Sequence, residues 1–236
     1  MGGSSETGYG KPVLAAVKLS DVDLGQLDFL DDAERQMAGR FASTMQRGRF
    51  LAGRMALRLH VAEVAGVDPR SLHADYVCRN CQGADRVHGA PRYRAGADGL
   101  WIRASLSRSG DWCLLAAVVN EQVRGVGVDL ESFASANFEG FEVVAMTARE
   151  REYLQEVPAP QRALCQTVLW TRKEAVLKAL GSGLALDPSL VDVAGGVPLL
   201  PGWMSGPGRW VVEDVELGLL GVADDGVAAM AVVMNG

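Results

Sequence analysis

The strongest constraint on the fold is the stretch 170–184, which reads WTRKEAVLKALGSGL. Good helix formers fill it, and Gly181 stands where a left-handed C-terminal cap would end a helix. At 3.6 residues per turn, one face carries Trp170, Glu174 and Lys178. The positions that can point into a core are Leu169, Val176 and Leu180. The pattern therefore predicts a helix that presents a carboxylate and an ammonium group on one edge.

Two interpretations of Glu174 and Lys178 are open from this helix alone. The first is an exposed i,i+4 ion pair, which stabilises a helix by about 0.2–0.5 kcal/mol and has no chemical role. The second is a pair of functional groups, which requires further polar groups from elsewhere in the chain. A second acidic motif upstream favours this interpretation.

That motif is the stretch 126–131, which reads VGVDLE. Apolar residues alternate with Gly127, Asp129 and Glu131, so a strand here buries one face and places both carboxylates on the other. Two carboxylates at i,i+2 beside a glycine make a compact, oxygen-rich site for a hard divalent cation. The alternative is a solvated strand end. The pair predicts a metal site only if a third ligand joins it.

Together the two stretches resemble the signature of the 4'-phosphopantetheinyl transferases of the larger, surfactin-synthetase-activating type. In that family a Gly-[Val/Ile]-Asp-[Leu/Ile]-Glu strand precedes a helix of the form Trp-x-x-Lys-Glu-[Ala/Ser]-x-x-Lys. The helix continues with Gly-x-Gly-Leu after two further positions. The matching residues of the second motif are Trp170, Lys173, Glu174, Ala175, Lys178, Ala179, Gly181, Gly183 and Leu184.

The resemblance implies an α+β fold, a pseudo-dimer of two similar α+β halves with the active site in the cleft between them. It implies Mg²⁺-dependent transfer of the 4'-phosphopantetheine arm of coenzyme A to a serine of an apo acyl or peptidyl carrier protein. Adenosine 3',5'-bisphosphate is released. Asp129, Glu131 and Glu174 would hold the Mg²⁺, Glu174 would also take the serine proton, and Lys178 would face the transferred phosphate.

Four further residues are implied as contacts for the phosphates of coenzyme A. Arg49 opens an amphipathic helical stretch that resembles the family's arginine-containing segment. The family's Gly-Lys-Pro becomes Gly-Ala-Pro here, with Ala90 at the lysine position, and Arg92 or Arg94 is the candidate substitute. The remaining contacts are Ser107 and Arg108.

The turn around Arg108 departs from the family pattern in one respect. It resembles the family's Ser-His-Ser turn, with Arg108 in the place of the histidine. A guanidinium supplies charge and donors but never a neutral imidazole. For Arg108, as for Arg54 and Arg58 on the preceding helix, the alternative is a solvated arginine.

Cys78, Cys81 and His88 suggest a zinc knuckle, but no fourth ligand stands at a suitable spacing, so a surface loop is favoured. The four cysteines form no disulfide framework in a chain of 236 residues, which fits a reducing compartment. A cytoplasmic location is therefore expected.

Along the chain, residues 1–10 are rich in Gly and Ser and are expected to form a disordered tail. Residues 11–121 are assigned to an N-terminal half and 122–236 to a C-terminal half. Strands are expected at 13–19, 100–106, 112–119, 126–131, 210–217 and 227–233. Helices are expected at 32–65 with a break near 43–47, after Thr147, from 161, and over the central stretch. Glu150 is either a capping residue or a group near the metal.

Composition excludes several classes of protein. The net charge of −6 argues against a general nucleic-acid binder. No apolar run approaches a membrane span. A monomer is expected.

Two rival functions use the same residues. One is a Mg²⁺-dependent nucleotide pyrophosphatase with water as the nucleophile, and the other is a non-catalytic module that binds coenzyme A or a carrier.

Overall fold

A computed structural model describes residues 11–77, 89–96, 99–133, 136, 138–203, 208–222 and 226–236. The helices are α1 (Asp32–Ala38), α2 (Thr44–Ala65), α3 (Phe141–Ala145), α4 (Ala148–Glu156) and α5 (Ala159–Leu180). The strands are β1 (Val13–Lys18), β2 (Leu72–Val77), β3 (Ala90–Ala95), β4 (Trp101–Ser109), β5 (Trp112–Val119), β6 (Val123–Ser132), β7 (Arg209–Asp214) and β8 (Gly226–Met234). Short 3₁₀ turns connect several of them.

The strands form two antiparallel sheets with a common connectivity. The first has the order β1-β5-β4-β3-β2 and the second the order β6-β8-β7. In each sheet the leading strand pairs with the last strand, which pairs in turn with the strand before it. A helix of 22 residues packs on each, α2 on the first and α5 on the second. The α+β class is therefore confirmed, and the two halves repeat one plan.

The halves meet through an apolar face. Every second residue of β5 (Leu114, Ala116 and Val118) packs against Val126, Val128 and Leu130 of β6 in one buried cluster. Within this contact the Ser105 hydroxyl accepts the backbone N–H of Val128 at 3.1 Å. The chain passes from one half to the other in the turn 120–122 between β5 and β6. We propose the division at 121/122 on this basis.

Two glycines allow α5 to lie directly on β6. A Cβ atom at Gly125 would stand 2.0 Å from the Ala179 carbonyl oxygen, and one at Gly127 would stand 2.0 Å from that of Ala175. Real Cβ atoms do not approach backbone oxygens so closely. The absence of side chains at these positions therefore sets the short distance between strand and helix.

Replacing Gly127 by Ala is expected to destabilise the protein by at least about 1–3 kcal/mol. The new methyl group meets backbone on α5, so the helix must move or the strand must bend, and overpacking of this kind costs about 1–3 kcal/mol or more. Gly48→Ala is the matched control, because nothing lies within 4 Å of a Cβ there. Gly48 lies in α2, where replacing Gly by Ala is expected to stabilise the protein by roughly 0.5–1 kcal/mol. Urea denaturation of both variants measures the difference, and equal stabilities would contradict this account of the contact.

The structure corrects two expectations about α1 and α2. The break that was predicted near 43–47 within the 32–65 stretch lies at 39–43, between α1 and α2. For Arg58 the solvated alternative is wrong, because the residue is 1% exposed and donates to Glu34 at 2.8 Å and to Asp31 at 3.0 Å. The expectations failed because the partners of α2 come from a segment distant in sequence.

Glu150 has a structural position. Its side chain and that of Thr147 form the predicted capping box at the start of α4. Glu150 is fully buried, accepts the Val193 N–H at 2.8 Å and pairs with the Lys173 ammonium at 2.6 Å. Lys173 also donates to the carbonyl of Pro188. The capping interpretation of Glu150 is thus confirmed, and the ion pair joins α4 to α5.

No helix in the described ranges has both the length and the apolar character that a bilayer span requires.

Candidate active site

Lys178 joins the two halves at the centre of the cleft. Its ammonium donates to the Asp129 Oδ1 atom at 2.6 Å, to the Ser107 hydroxyl at 3.0 Å and to the Val128 carbonyl at 3.2 Å. Ser107, on β4 of the first half, in turn donates to Asp129 Oδ1 at 2.7 Å. Three predicted residues from three elements therefore converge, and Lys178 pairs with Asp129 and not with Glu174.

Glu174 lies one helical turn before Lys178 and is 9% exposed. Its Oε1 atom and the Oδ2 atom of Asp129 are buried without a hydrogen-bond partner. Burial is the main cause that raises the pKa of Glu174 to about 7, and the charges of Asp129 and Glu131 add to it, while Lys178 opposes it. Buried carboxylate oxygens without donors are costly unless a cation balances them. These two oxygens therefore fit a bound divalent cation.

Glu131 stands at the edge of this pair. It is half-buried near the end of β6, and its Oε1 atom accepts the Trp170 indole N–H at 3.3 Å. Among the described residues, no three His, Cys, Asp or Glu side chains form a ready-made metal cluster. Of the three predicted ligands, the structure thus supplies two orphaned oxygens, from Asp129 and Glu174, and places Glu131 close enough to raise the pKa of Glu174.

The cleft beside Lys178 contains a cavity of about 480 Å³. Its polar lining comes from both halves, with Ser105 and Arg108 from β4 and Lys178 from α5. The segment 181–183, which begins at the cap glycine of α5, lines one side. Positive side chains such as Arg108 and Lys178 suit an anionic ligand.

Arg108 is held against α2. Its Nη1 atom donates to the Arg49 carbonyl at 3.2 Å, and its guanidinium lies 5.9 Å from the centre of the Phe50 ring. Burial against the helix lowers the pKa of Arg108, and the charges of Arg54 and Arg49 act in the same direction. Arg49 itself donates to the Gly110 carbonyl. Arg108 therefore faces the cavity, while Arg49 contacts the turn that follows β4.

Arg92 is placed apart from Lys178 and Arg108. It donates twice to Asp75 on the neighbouring strand, at 2.9 and 2.5 Å, and lies 4.0 Å from the Trp101 ring centre. The alternative candidate, Arg94, lies 5.0 Å from the same ring. Arg92 lines a second, smaller cavity. The structure therefore does not bring Arg92 together with the other predicted phosphate contacts.

Arg54 lines the cavity, although it was not predicted as a site residue. The sequence suggested only a solvated arginine on α2. Its guanidinium lies 5.3 Å from the Phe50 ring centre and 4.9 Å from that of Tyr76. Its Nη1 atom is buried without a hydrogen-bond partner, and the residue lines the larger cavity beside Arg108. The one available signal was its spacing of four residues from Phe50, which places both on one helix face.

The cysteine motif lies outside this description. Cys78, Cys81 and His88 fall in the range 78–88, which the structure does not describe. Cys113 and Cys165 are free thiols, and Cys113 is fully buried in the core of the first half.

Comparison with known proteins gives matches in sequence and in structure. Residues 125–198 match the family model described as "ACPS: 4'-phosphopantetheinyl transferase superfamily". The chain is 32% identical over 159 residues to the 4'-phosphopantetheinyl transferase HetI of Nostoc sp., covering 66% of this chain and 61% of that protein. It is 28% identical over 168 residues to a phosphopantetheinyl transferase of Thraustochytrium sp., covering 66% and 54%. The matches thus span less than two thirds of the length of these relatives.

Two solved structures resemble roughly half of the chain. A holo-(acyl-carrier-protein) synthase from Bacillus anthracis, in complex with CoA (3',5'-ADP), has a TM-score of 0.41 at 15% identity, covering 48% of this chain and 98% of that one. The holo-[acyl-carrier-protein] synthase of Thermotoga maritima has a TM-score of 0.40 at 20% identity, covering 48% and 65%.

Proposed function

We propose that the chain is a member of the 4'-phosphopantetheinyl transferase superfamily, and that it transfers the 4'-phosphopantetheine arm of coenzyme A to a serine of an apo acyl or peptidyl carrier protein. The observation that carries this proposal is the meeting of Ser107, Asp129, Glu174 and Lys178 in the cleft. The ammonium group can bind a phosphate of the substrate, and two carboxylates with unpartnered oxygens can bind a metal ion.

The reaction forms one bond and breaks another at the same phosphorus. The serine oxygen of the carrier attacks the phosphorus of the pyrophosphate that bears the pantetheine arm. The bond from that phosphorus to the bridging oxygen breaks, and adenosine 3',5'-bisphosphate leaves with the electron pair. Phosphoryl transfer of this kind depends mainly on alignment and on neutralisation of charge.

Asp129 and Glu174 would hold Mg²⁺ through their unpartnered oxygens, with Glu131 beside them. When bound, the ion neutralises charge on the pyrophosphate and on the oxygen that leaves. Lys178 is held by Asp129 and Ser107 so that its ammonium faces the same cleft. We assign it to the transferred phosphate. Ser107 thus acts chiefly by fixing the direction of the ammonium group.

Glu174 is also our candidate for the group that takes the serine proton, directly or through a water molecule. Its carboxylate lies one helical turn from Lys178, and a positioned carboxylate can act as a general base. Arg108 and Arg54 line the cavity beyond Lys178, where they can contact the remaining phosphates. Arg49 and Arg92 would need to turn away from their present acceptors to join them.

We further propose that the protein acts as a monomer, because one chain supplies both sides of the cleft. The two free thiols fit a reducing compartment such as the cytoplasm.

The proposal is tested by incubating the protein with coenzyme A, Mg²⁺ and an apo carrier protein, and by weighing the carrier in a mass spectrometer. A gain of one phosphopantetheine group on the carrier serine is expected. Breakdown of coenzyme A in the absence of any carrier would instead identify a pyrophosphatase. Binding of coenzyme A without turnover would identify a non-catalytic module.

Replacing Arg108 by Ala is expected to raise the KM for coenzyme A about ten-fold or more, with a smaller effect on kcat. The reason is the loss of one charge-assisted hydrogen bond to phosphate, worth ~1.5–3 kcal/mol. Steady-state kinetics with varied coenzyme A measure it. Arg40→Ala is the control, since Arg40 is exposed and is not among the residues that line the cavity. An unchanged KM would mean that Arg108 serves only to pack against α2.

A further inference from the structure

A cavity of about 600 Å³ lies outside the cleft, beside β1. None of the residues that line it also lines the cavity beside Lys178. Ala15, Ala16, Val17 and Lys18 all line it, although their side chains alternate between the two faces of the sheet. Its other walls are formed by α2, by the segment 21–26, and by Trp112, Leu115 and Leu220. A cavity lined by four consecutive strand residues runs along the edge of the strand and not over one face.

This edge of β1 has no neighbouring strand. β1 is the end strand of its sheet and pairs with β5 on its other side. An edge strand presents a row of backbone N–H and C=O groups that can pair with a further strand. Within the described ranges, one side chain contacts the backbone of β1, since His60 Nε2 lies 2.9 Å from the Val13 carbonyl oxygen. The backbone groups along residues 15–18 that point away from β5 therefore face the cavity.

The edge of β1 lacks the features that usually prevent pairing with another strand. Such edges are commonly protected by charged side chains, by proline or by a bulge. The other end strands of the two sheets, β2, β6 and β7, contain Asp75, Asp129 and Glu213. Residues 13–17 of β1 include neither a charged residue nor a proline, and the register of β1 with β5 is regular. Of these end strands, β1 is thus the one best suited to accept an added strand.

The charges around the cavity favour a basic partner. Asp21, Asp23 and Glu63 are exposed and line the cavity, against one ammonium group, that of Lys18. None of these carboxylates forms an ion pair with another residue in the described part of the chain. Leu59, which is 43% exposed on α2, adds an apolar side chain to the wall. A second copy of this chain would bring three further carboxylates to the same groove, and like charges in contact oppose such a pairing.

We propose that the free edge of β1 is a docking site for an extended, basic segment of a partner protein, which adds to the first sheet as a sixth strand. Hydrogen bonds between main chains supply affinity in this mode of recognition, and alternate side chains of the added segment supply specificity. Lys or Arg side chains of the segment would lie near Asp21, Asp23 and Glu63. Apolar side chains would lie against the wall that includes Leu59. The site is separate from the cleft, so the inference does not depend on the proposed reaction.

The first test is fluorescence anisotropy of a labelled probe peptide, KVTVKVT, titrated with the full-length protein. Saturable binding is expected, and the charge-reversed peptide EVTVEVT should bind at least about ten-fold more weakly. Glu63→Lys should weaken binding of KVTVKVT about five-fold, because it replaces an attractive charge by a repulsive one. Glu152→Lys makes the same change at an exposed residue that does not line the cavity, and it should leave the affinity within about two-fold. No saturable binding of KVTVKVT, or equal binding of the two peptides, would overturn the proposal.

The second test asks whether the bound peptide pairs with the backbone of β1. Amide hydrogen exchange should become slower within residues 13–18 when KVTVKVT saturates the protein, since the outward N–H groups gain acceptors. Exchange within 72–77, which form the strand at the opposite end of the same sheet, should not change. A bound peptide that leaves the exchange of 13–18 unchanged would overturn the proposal.

Sedimentation of the protein alone, over a range of concentrations, tests the other occupant of this edge. The free protein is expected to show no association that slows exchange at 13–18. A dimer that protects these amides would show that a second copy takes the place of the peptide, and would overturn the proposal. Neither coenzyme A nor a carrier protein is needed in these experiments, so a failure of the transfer reaction leaves their results intact.

Discussion

Replacing Glu174 by Gln is expected to lower the rate of transfer at least about 10²-fold in a protein that remains folded, since proton transfer alone contributes about 10²–10⁴-fold. The change keeps the size of the side chain and its helix propensity while it removes one orphaned oxygen and the charge. Initial rates of carrier modification at saturating coenzyme A and Mg²⁺ measure the effect. Glu152→Gln is the control, because Glu152 is an exposed residue of α4.

The same variant is expected to be more stable than its parent in the presence of a chelator above about pH 7. Without metal, the pKa of Glu174 rises from 4.5 in the unfolded chain to about 7 in the folded protein. The folded protein then binds the proton more tightly, so the parent loses stability as pH rises from about 4.5 to about 7, by on the order of 3 kcal/mol. Gln has no such dependence, and the advantage of the variant should disappear below about pH 4.5.

Faster unfolding of Glu174→Gln at every pH would show that Glu174 is a structural residue. A rate of transfer close to that of the parent would remove it from the chemistry. The two readouts are independent, since one follows the reaction and the other the metal-free protein.

Replacing Asp129 by Asn is expected to abolish most transfer and to raise the Mg²⁺ concentration that gives half of the maximal rate. Asn still accepts from Ser107 and Lys178, but it has no charge, and an amide nitrogen in place of the second oxygen cannot bind a cation. Replacing a residue that only hydrogen-bonds to a metal ligand lowers metal affinity or activity about 10–100-fold. Replacing a direct ligand should lower them at least as much. Titration of the rate with Mg²⁺ measures the shift.

Asp32→Asn controls for the loss of a carboxylate. The Asp32 side chain is fully exposed and, within the described ranges, its ion pair is with Arg35. Its removal should therefore change stability by no more than about 1 kcal/mol and leave the Mg²⁺ dependence unchanged. If Asp129→Asn responds to Mg²⁺ as the parent does, the cation is not held where we place it.

Short-range sequence patterns predicted most elements of the fold. The near-continuous apolar run at 112–119 coincides with β5, Trp112–Val119. The capping-box spacing of Thr147 and Glu150 marked the start of α4. These predictions succeeded because alternation, capping and glycine stops depend on a few neighbouring residues.

Short-range patterns could not predict the contacts between distant segments of the chain. Nothing near Arg58 in the sequence indicates that Glu34, 24 residues upstream, neutralises it in the core. Lys173 matched a motif position, yet its buried pair with Glu150 depends on how α4 packs. The meeting of Asp129 with Lys178 across 49 residues could be expected only through a resemblance to a family.

The apolar contact between β5 and β6 has a consequence for how activity responds to perturbation. Ser107 and Arg108 belong to one half, and Asp129, Glu174 and Lys178 to the other, so the cleft exists only while the halves are docked. A loosened contact around Val118 or Val128 would separate these groups before either sheet loses its own core. The rate of transfer would then depend on the free energy with which the halves dock. Activity is expected to be lost at a lower temperature or denaturant concentration than secondary structure.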